Sequence, residues 1–171
     1  YFLDAVTRGD FNQSLMVDGI IVFKPEWANK LDFIAPQYYR SADVYVDVRS
    51  NIIPWLAGMF AVDIRTDETL SEKLHNDLGW TIYPGGFYHL LKRFHDRYNL
   101  PFLITENGMC ERHDRNRASY TISHLQQVLR AINDGVNVLG YIYWSIVDNH
   151  EWAFGYKPDA RFGLFTIDRS A

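Results

Sequence analysis

One glutamate, Glu106, ends a short apolar run that stops in an Asn-Gly pair, in the stretch 102–108. The stretch lies between two segments with helical spacing of apolar residues, one from Pro84 to Tyr98 and another that begins near Ser119. Helix, buried strand, loop and helix is the order of a parallel βα unit. Polar residues at the carboxyl ends of such strands line the active-site face. The position therefore favours a catalytic carboxylate, and the alternative is a carboxylate that caps a turn.

The residues that accompany Glu106 are polar or aromatic and follow strand-like segments: Gln37, Tyr39, Trp144, Glu151 and Trp152. A carboxylate can attack an acetal carbon and form a covalent intermediate with a sugar. A tyrosine beside it can donate a hydrogen bond that keeps it ionised and oriented. A second carboxylate can accept hydrogen bonds from sugar hydroxyls, and two indole rings can bracket the sugar ring. The simpler alternatives are that Tyr39 and Trp144 belong to the core, and that Glu151 and Trp152 form a solvated turn.

The elements that position these residues are predicted from hydrophobic spacing. Residues 1–30 show no clear period, which predicts a loop with one or two short helices, and Leu31–Pro36 is the first predicted strand. Residues 41–79 form a long connection without clean periodicity, which is typical of a wall over a site. Pro84 suits the first position of a helix that runs to Tyr98 with a single apolar stripe.

A second helix is predicted to begin near Asn116 or Ser119, either of which can cap it, and to stop at Gly135. We expect its apolar residues to form one face; these are Tyr120, Ile122, Leu125, Val128, Leu129 and Ile132. The stretch Val136–Trp144 is nearly continuous in apolar residues and predicts a second buried strand. A last short strand is predicted at Phe165–Asp168.

This order of elements predicts an α/β fold of about three parallel βα units, with polar residues after each strand. A (β/α)8 barrel needs about 250 residues, so the chain corresponds to about three-eighths of one, and an open sheet is the alternative closure. We expect residues 1–171 to form a single partial domain. The chain starts with Tyr1 in place of Met, from which we expect a fragment or a processed piece.

Composition narrows the function classes. The net charge of −4 gives no reason to expect a nucleic-acid partner, and the basic stretch 111–117 is mixed in sign, which predicts a solvated loop. The single cysteine, Cys110, lies in no nucleophile motif, so we expect it to be a bystander. The six histidines share no ligand spacing, so we expect neither a metal nor a cofactor. Without a signal peptide or a long apolar span, we expect a cytoplasmic protein with no membrane partner.

Several motifs together resemble one known family. Thr105-Glu106-Asn107-Gly108 resembles the ITENG nucleophile motif of glycoside hydrolase family 1, the β-glucosidases and β-galactosidases. The loop 144–152 resembles the family's WSLLDNFEW loop, and Arg161-Phe162-Gly163-Leu164 resembles its RFGL segment. Further motifs occur in the family's order, namely Arg8-Gly9-Asp10, Asp32-Phe33-Ile34 with Tyr38-Tyr39, and Gly79-Trp80 with Tyr83-Pro84. The resemblance covers essentially the whole chain.

The resemblance implies the C-terminal part of a (β/α)8 TIM barrel that hydrolyses β-glycosides with retention of configuration. It implies that Glu106 is the nucleophile, that Tyr39 is its hydrogen-bonding partner, and that Trp144 is the platform for the sugar. Glu151 and Trp152 are then the residues that hold the far hydroxyls of the non-reducing sugar.

Two further residues, Gln37 and Phe162, complete the substrate-binding set that the resemblance implies. The substrate is expected to be an unphosphorylated β-glycoside or oligosaccharide, because a carboxylate at Glu151 would repel a phosphate. Three substitutions depart from the family pattern: Gln37 replaces an Asn, Ala35-Pro36 replaces Gly-Leu, and Phe154 replaces a frequent Glu.

The fourth departure is the absence of the Asn-Glu-Pro motif that carries the family's acid/base glutamate. Retaining hydrolysis needs two carboxyl groups about 5 Å apart, so we expect the second carboxylate to come from the remainder of the barrel. That remainder is expected as a partner, from the same gene or on a second chain, and this segment alone is expected to be inactive. The alternatives are a non-catalytic module that binds a sugar or a protein, and a transglycosidase.

Overall fold

The computed structural model of the protein describes residues 2–12, 21–41 and 74–167. These residues fall into two compact units, one that includes 2–12 and 21–32 and another that includes 33–41 and 74–167. Most of the predicted long connection, from 42 to 73, lies outside the described residues, as does Asp168. None of the described helices is both long and apolar enough to cross a membrane.

The first unit consists of short elements. Helix α1 spans Phe2–Arg8, and strands β1 (Asp10–Asn12) and β2 (Ile21–Phe23) pair antiparallel. A 3-10 helix follows at Pro25–Trp27. The two short helices agree with the sequence prediction, but the strand pair was not predicted, because strands of three residues are too short to show an alternating pattern.

The second unit is built around two parallel strands, β3 (Phe102–Asn107) and β4 (Val138–Tyr143). The strand predicted at Leu31–Pro36 is not a regular strand. Instead, residues 34–38 run parallel to β3 through two isolated bridges, Ile34 with Phe102 and Gln37 with Glu106. Pro36 lies between the bridges and has no N–H to donate, which explains why the ladder is interrupted.

Two helices cover this sheet. Helix α2 spans Pro84–Tyr98, as the sequence predicted, and ends at Asn99, which adopts a left-handed conformation with a φ of 51°. Helix α3 spans Arg117–Asn133 and is followed by Gly135 with a φ of 90°, so the predicted stop is confirmed. Asn116 occupies the N-cap position of α3 without making a side-chain cap hydrogen bond.

The core lies between the two helices and the sheet, and α3 presents only part of its apolar surface to it. The buried residues of the core are Ile34, Tyr38, Phe87, Leu91, Phe102, Ile104, Val128, Ala131 and Val136. The prediction of one apolar face on α3 was wrong. Tyr120, His124, Val128 and Ala131 are buried, while Ile122, Leu125, Leu129 and Ile132 are exposed. The helix therefore has two apolar faces, and the described residues cover one of them.

Strand β4 also departs from its prediction. Leu139 and Ile142 are 59% and 50% exposed, so the strand is only partly buried. The predicted last strand appears, within the described residues, as a single bridge between Val147 and Phe165. The described residues form no closed barrel. Their parallel order, with residues 34–38 beside β3 and β3 beside β4, is that of consecutive βα units.

Candidate active site

The carboxylate of Glu106 lies at the end of β3 and accepts two side-chain hydrogen bonds. Its Oε1 accepts from Gln37 Nε2 at 2.7 Å, and its Oε2 accepts from Tyr39 Oη at 2.6 Å. Each oxygen is therefore held by a different donor, which fixes the plane of the carboxylate.

The alternation of an extended backbone explains why both donors reach the same carboxylate. Gln37 bridges to Glu106, and the N–H of Tyr38 donates to the Glu106 carbonyl at 3.0 Å. Because successive side chains of an extended segment point to opposite sides, Gln37 and Tyr39 share one side. Tyr38 points to the other, where its ring stacks on Phe87 with centroids 4.7 Å apart.

The hydroxyl of Tyr39 is strongly biased toward its protonated form. Burial raises its pKa above the ordinary tyrosine value, and the hydrogen bond to Glu106 with the negative charges of Glu106 and Glu151 raises it further. Tyr39 therefore remains a hydrogen-bond donor at neutral pH.

Aromatic rings support Tyr39 from behind. Its ring makes edge contacts with Trp80 and Phe162, with centroids 6.0 and 5.8 Å away. The guanidinium of Arg40 lies over Trp80 at 4.9 Å. Phe162, which the sequence assigned to substrate binding, is only 2% exposed, so it lies in the layer behind Tyr39. Trp80 was quoted in a motif but not assigned to the site, and nothing in its local sequence indicates this contact.

Trp144 and Glu151 lie on the loop after β4. The backbone N–H of Trp144 donates to the Asn107 carbonyl at 3.0 Å, which joins the ends of β3 and β4. Its indole Nε1 donates to Glu151 Oε1 at 3.3 Å. The peptide bond between Trp144 and Ser145 is cis. At Gly108 an added Cβ would lie 1.8 Å from the Trp144 carbonyl oxygen, so only glycine fits there.

Glu151 and Trp152 have very different surroundings. The backbone N–H of Glu151 donates to the Gly155 carbonyl at 2.9 Å, which closes a short turn. Trp152 follows at the start of that turn and is 94% exposed. The structure therefore brings Gln37, Tyr39, Glu106, Trp144 and Glu151 into one region, with Phe162 behind them and Trp152 projecting from the surface.

The stretch 111–117 agrees with the prediction of a solvated loop only between its two ends. Residues 112–116 are exposed, but Glu111 and Arg117 are 3% and 6% exposed. The Arg117 guanidinium donates to the carbonyls of Met109, Glu111, Arg161 and Phe162 and to the hydroxyl of Tyr143. A run of mixed charges gives no signal for such burial, because the five N–H groups of one arginine satisfy carbonyls from segments far apart in sequence.

Cys110 is fully buried, and burial raises the pKa of its thiol to about 12. A thiol in that state is a poor nucleophile, as expected for a bystander. Within the three described ranges, no three residues among His, Cys, Asp and Glu are arranged to hold a metal ion.

The sequence model of Glycosyl hydrolase family 1 matches residues 1–171. The chain belongs to this family. Family 1 β-glycosidases are (β/α)8 barrels, and this family 1 chain covers part of that fold. It is 34% identical to a β-galactosidase of Saccharolobus solfataricus, over 98% of this chain and 33% of the relative. It is 42% identical to a galactolipid galactosyltransferase of Arabidopsis thaliana, over 82% of this chain and 20% of the relative.

Solved structures of family 1 proteins also resemble this chain. The β-glycosidase of the hyperthermophile Thermosphaera aggregans superposes with a TM-score of 0.72 and 30% identity, over 98% of this family 1 chain and 33% of that structure. This chain therefore spans about a third of the length of the family members that it matches end to end.

Proposed function

We propose that this chain carries the nucleophile side of a retaining β-glycosidase site, with Glu106 as the nucleophile. The observation that supports this role is the pair of hydrogen bonds to Glu106, from Gln37 at 2.7 Å and Tyr39 at 2.6 Å. In such a mechanism the carboxylate attacks the anomeric carbon, the aglycone leaves with a proton from a second carboxyl group, and water then releases the sugar.

The two donors of Glu106 have complementary roles. Tyr39 stays protonated because its pKa is raised, first by burial and then by Glu106 itself, so it cannot compete as a base. Gln37 is neutral and replaces a shorter family asparagine, and its amide still reaches the carboxylate. Together they orient one oxygen lone pair of Glu106 for attack while they stabilise the charge that the leaving carboxylate regains.

The sugar is proposed to lie against Trp144, with its hydroxyls on Glu151. The indole N–H of Trp144 donates to Glu151, which orients that carboxylate. A carboxylate held in this way accepts hydroxyl hydrogen bonds and repels a phosphate, so the proposed substrate is an unphosphorylated β-glycoside. Trp152, exposed at the adjacent turn, is proposed to cover the far end of the same sugar.

The second carboxyl group is proposed to come from the remainder of a barrel, on the same polypeptide or a second chain. Glu111 is a poor substitute, because it is buried and its oxygens accept from the backbone and side chain of Asn116 at 2.7 and 2.9 Å. The exposed apolar face of α3 and the exposed Leu139 and Ile142 of β4 support a missing neighbour. We propose that residues 1–171 are the C-terminal part of that single barrel domain, inactive without the rest.

Transfer of the sugar to an acceptor other than water is a second candidate. The 42% identical relative from Arabidopsis thaliana is named a galactolipid galactosyltransferase, which favours this possibility. Both reactions use the same covalent intermediate on Glu106, so they differ only in the group that attacks it. A binding-only module is disfavoured, because recognition of a sugar does not require a carboxylate held by two donors.

The proposal is tested by mass spectrometry of the protein after reaction with a dinitrophenyl 2-deoxy-2-fluoro-β-glucoside. The leaving group of this probe departs without a general acid, so the test does not need the second carboxylate. We expect one added fluoroglucosyl mass, mapped by peptide analysis to Glu106. Glu106→Gln is expected to abolish the label, and Glu111→Gln, which changes another glutamate of the β3 loop, is expected to retain it.

No label on a folded wild-type protein would reject a competent nucleophile, as would a label that persists in Glu106→Gln. In the complete enzyme, Glu106→Gln is expected to abolish turnover while sugar binding is largely kept. Adding an alcohol acceptor to the labelled enzyme separates the two reactions. Release of the sugar as a new glycoside faster than as the free sugar would support transfer over hydrolysis.

A further inference from the structure

Asn107, the residue after Glu106, has a fully buried carboxamide whose polar atoms all have partners. Its Nδ2 donates to the Tyr38 carbonyl at 2.6 Å and to the Tyr120 hydroxyl at 3.0 Å. Its Oδ1 accepts from the Tyr141 hydroxyl at 2.7 Å. One side chain therefore joins β3 to three other segments: residues 34–38, helix α3 and strand β4.

The partners of Asn107 hold the segment that carries the donors to Glu106. The Tyr38 carbonyl is bound by Asn107, and the next carbonyl, that of Tyr39, accepts from the Tyr120 hydroxyl at 3.1 Å. The Tyr120 hydroxyl is thus an acceptor from Asn107 and a donor to Tyr39. These two consecutive carbonyls lie on either side of the Tyr39 Cα, so their positions set where the Tyr39 side chain begins.

This anchoring matters because the backbone ladder beside Glu106 is irregular. Residues 34–38 join β3 by isolated bridges, and Pro36 offers no N–H. Backbone hydrogen bonds between this segment and β3 reach as far as Tyr38, whose N–H donates to the Glu106 carbonyl at 3.0 Å. The contacts of the Tyr38 and Tyr39 carbonyls extend this anchoring to the residue that donates the hydrogen bond of 2.6 Å.

We propose that Asn107 is a positioning residue for the nucleophile, acting through Tyr38 and Tyr120 to set the hydrogen bond between Tyr39 and Glu106. Its role in catalysis rests on the proposed function, but its effect on the Tyr39 hydroxyl does not. In Asn107→Asp the shape of the side chain is kept, while an oxygen replaces the donating nitrogen and faces the Tyr38 carbonyl. That repulsion moves Tyr39 away from Glu106.

The test that needs no activity is carbon-13 NMR of the protein with labelled tyrosine Cζ, at neutral pH. The resonance of Tyr39 is assigned from its loss in Tyr39→Phe, and its position without a carboxylate partner is taken from Glu106→Ala. We expect Asn107→Asp to move this resonance by at least half of the Glu106→Ala displacement. Asn137→Asp, which changes an exposed asparagine before β4, serves as the matched control and is expected to leave it unchanged.

A second readout uses the fluoroglucoside probe in the protein that reacts with it. We expect Asn107→Asp to lower the maximal labelling rate about tenfold, the effect of losing one hydrogen bond to a charged group, with the inhibition constant unchanged. If Asn107 acted only in packing, Asn107→Asp would lower the stability of the protein without lowering the maximal labelling rate. If wild type is not labelled, the proposed function fails, while the NMR result still decides the positioning role.

Two milder variants keep the test decisive if Asn107→Asp does not fold. Tyr120→Phe removes the hydroxyl that bridges Asn107 to Tyr39, and Tyr141→Phe removes the donor to Asn107 Oδ1. We expect both to move the Tyr39 resonance in the same direction, Tyr120→Phe more strongly. An unmoved resonance in Tyr120→Phe would overturn the proposal, as would an unmoved resonance in folded Asn107→Asp.

Discussion

The loops that follow β3 and β4 differ sharply in how deeply their residues are buried. Residues 108–111, after β3, are all buried. After β4, Ile146 and Trp152 are 65% and 94% exposed. Yet the residues proposed for chemistry and for sugar recognition divide between these two loops, with Glu106 at the first and Trp144 and Glu151 on the second.

The difference follows from where the partners of each loop lie. The β3 loop is fixed from within the described chain, by the guanidinium of Arg117 and the carboxamide of Asn107. The β4 loop is tied to the segment 162–165 by backbone hydrogen bonds at Ser145, Ile146 and Asp148, and Asp148 Oδ1 accepts from the Gly163 N–H at 3.0 Å. Its side chains nevertheless stay largely exposed at Ile146 and Trp152. A nucleophile must be held precisely before substrate arrives, whereas a sugar-binding rim can be completed by substrate and by a neighbouring part of the protein.

Among the changes that test this comparison, Arg117→Met is expected to cause the largest loss of stability. The substitution removes the donors to four carbonyls of the β3 loop and the 161–162 segment, while the methionine keeps much of the volume. Because buried carbonyls without partners are costly, we expect the free energy of unfolding to fall by about 3–5 kcal/mol. Urea denaturation followed by near-ultraviolet circular dichroism measures this loss.

Arg117→Lys is the matched variant for the same site. Lysine keeps the charge but lacks the planar fork of five donors, so it can satisfy only some of the carbonyls. We expect Arg117→Lys to lower the free energy of unfolding, but by less than Arg117→Met does. Equal stability of the lysine variant and wild type would show that the charge, rather than the hydrogen-bond geometry, holds the β3 loop.

A smaller effect is expected from His124, which lies in the core behind the β3 end. Its ring is fully buried and stacks on Tyr120 with centroids 3.9 Å apart, and its Nδ1 donates to the Tyr120 carbonyl at 2.8 Å. Burial lowers its pKa from 6.5 to about 4. The unfolded chain therefore takes up a proton below pH 6.5 that the folded chain resists until about pH 4.

Because the unfolded chain binds this proton more readily, a fall in pH favours the unfolded state. Stability is fully present above pH 6.5 and is lost progressively as the pH falls toward 4, by at most about 3 kcal/mol. His124→Phe keeps a flat ring between Tyr38 and Tyr120 and removes the titration. We expect its denaturation midpoint to vary less than that of wild type between neutral and mildly acidic pH. Identical pH dependence in both proteins would contradict a neutral, buried His124.

The β3 side was also the more predictable one from sequence. The bounds of α2 follow from one apolar stripe with Pro84 at its start, and the end of β3 follows from the apolar run before Glu106. Tyr39 beside Glu106 was an expectation of the family resemblance, because only the fold brings residues so far apart in sequence together. The family itself was identified from its motifs alone, and the match over residues 1–171 confirms it.

What sequence could not give depends on three-dimensional burial. A helix such as α3 with apolar residues nearly all round does not say which face is covered. Ile122 and Leu129 were therefore predicted to share one face with Tyr120 and Val128, although both are 57% exposed. Arg117 looked like one more surface charge, because its partners are backbone carbonyls that carry no sequence signature. The irregular segment 34–38 was predicted as a strand, because a single proline does not reveal how a ladder rearranges around it.

Trp152→Ala tests the loop after β4 and is expected to have the smallest effect on stability. Because the indole is 94% exposed, its loss is expected to change the free energy of unfolding by no more than about 0.5 kcal/mol. Phe162→Ala, at an aromatic ring that is 2% exposed, is the contrasting variant, with an expected loss of about 3–5 kcal/mol. Both are measured by urea denaturation under the same conditions.

Trp152→Ala also tests the role of this side chain in sugar binding. If Trp152 belongs to the sugar-binding rim, Trp152→Ala is expected to raise the inhibition constant of the fluoroglucoside about tenfold. The maximal labelling rate is expected to stay near that of wild type, because Trp152 would touch the sugar far from the reacting carbon. A loss of stability above about 1.5 kcal/mol in Trp152→Ala would instead mean that the indole packs against another part of the protein. The β4 loop would then be held as firmly as the β3 loop, and its exposed rim could not be assigned to substrate.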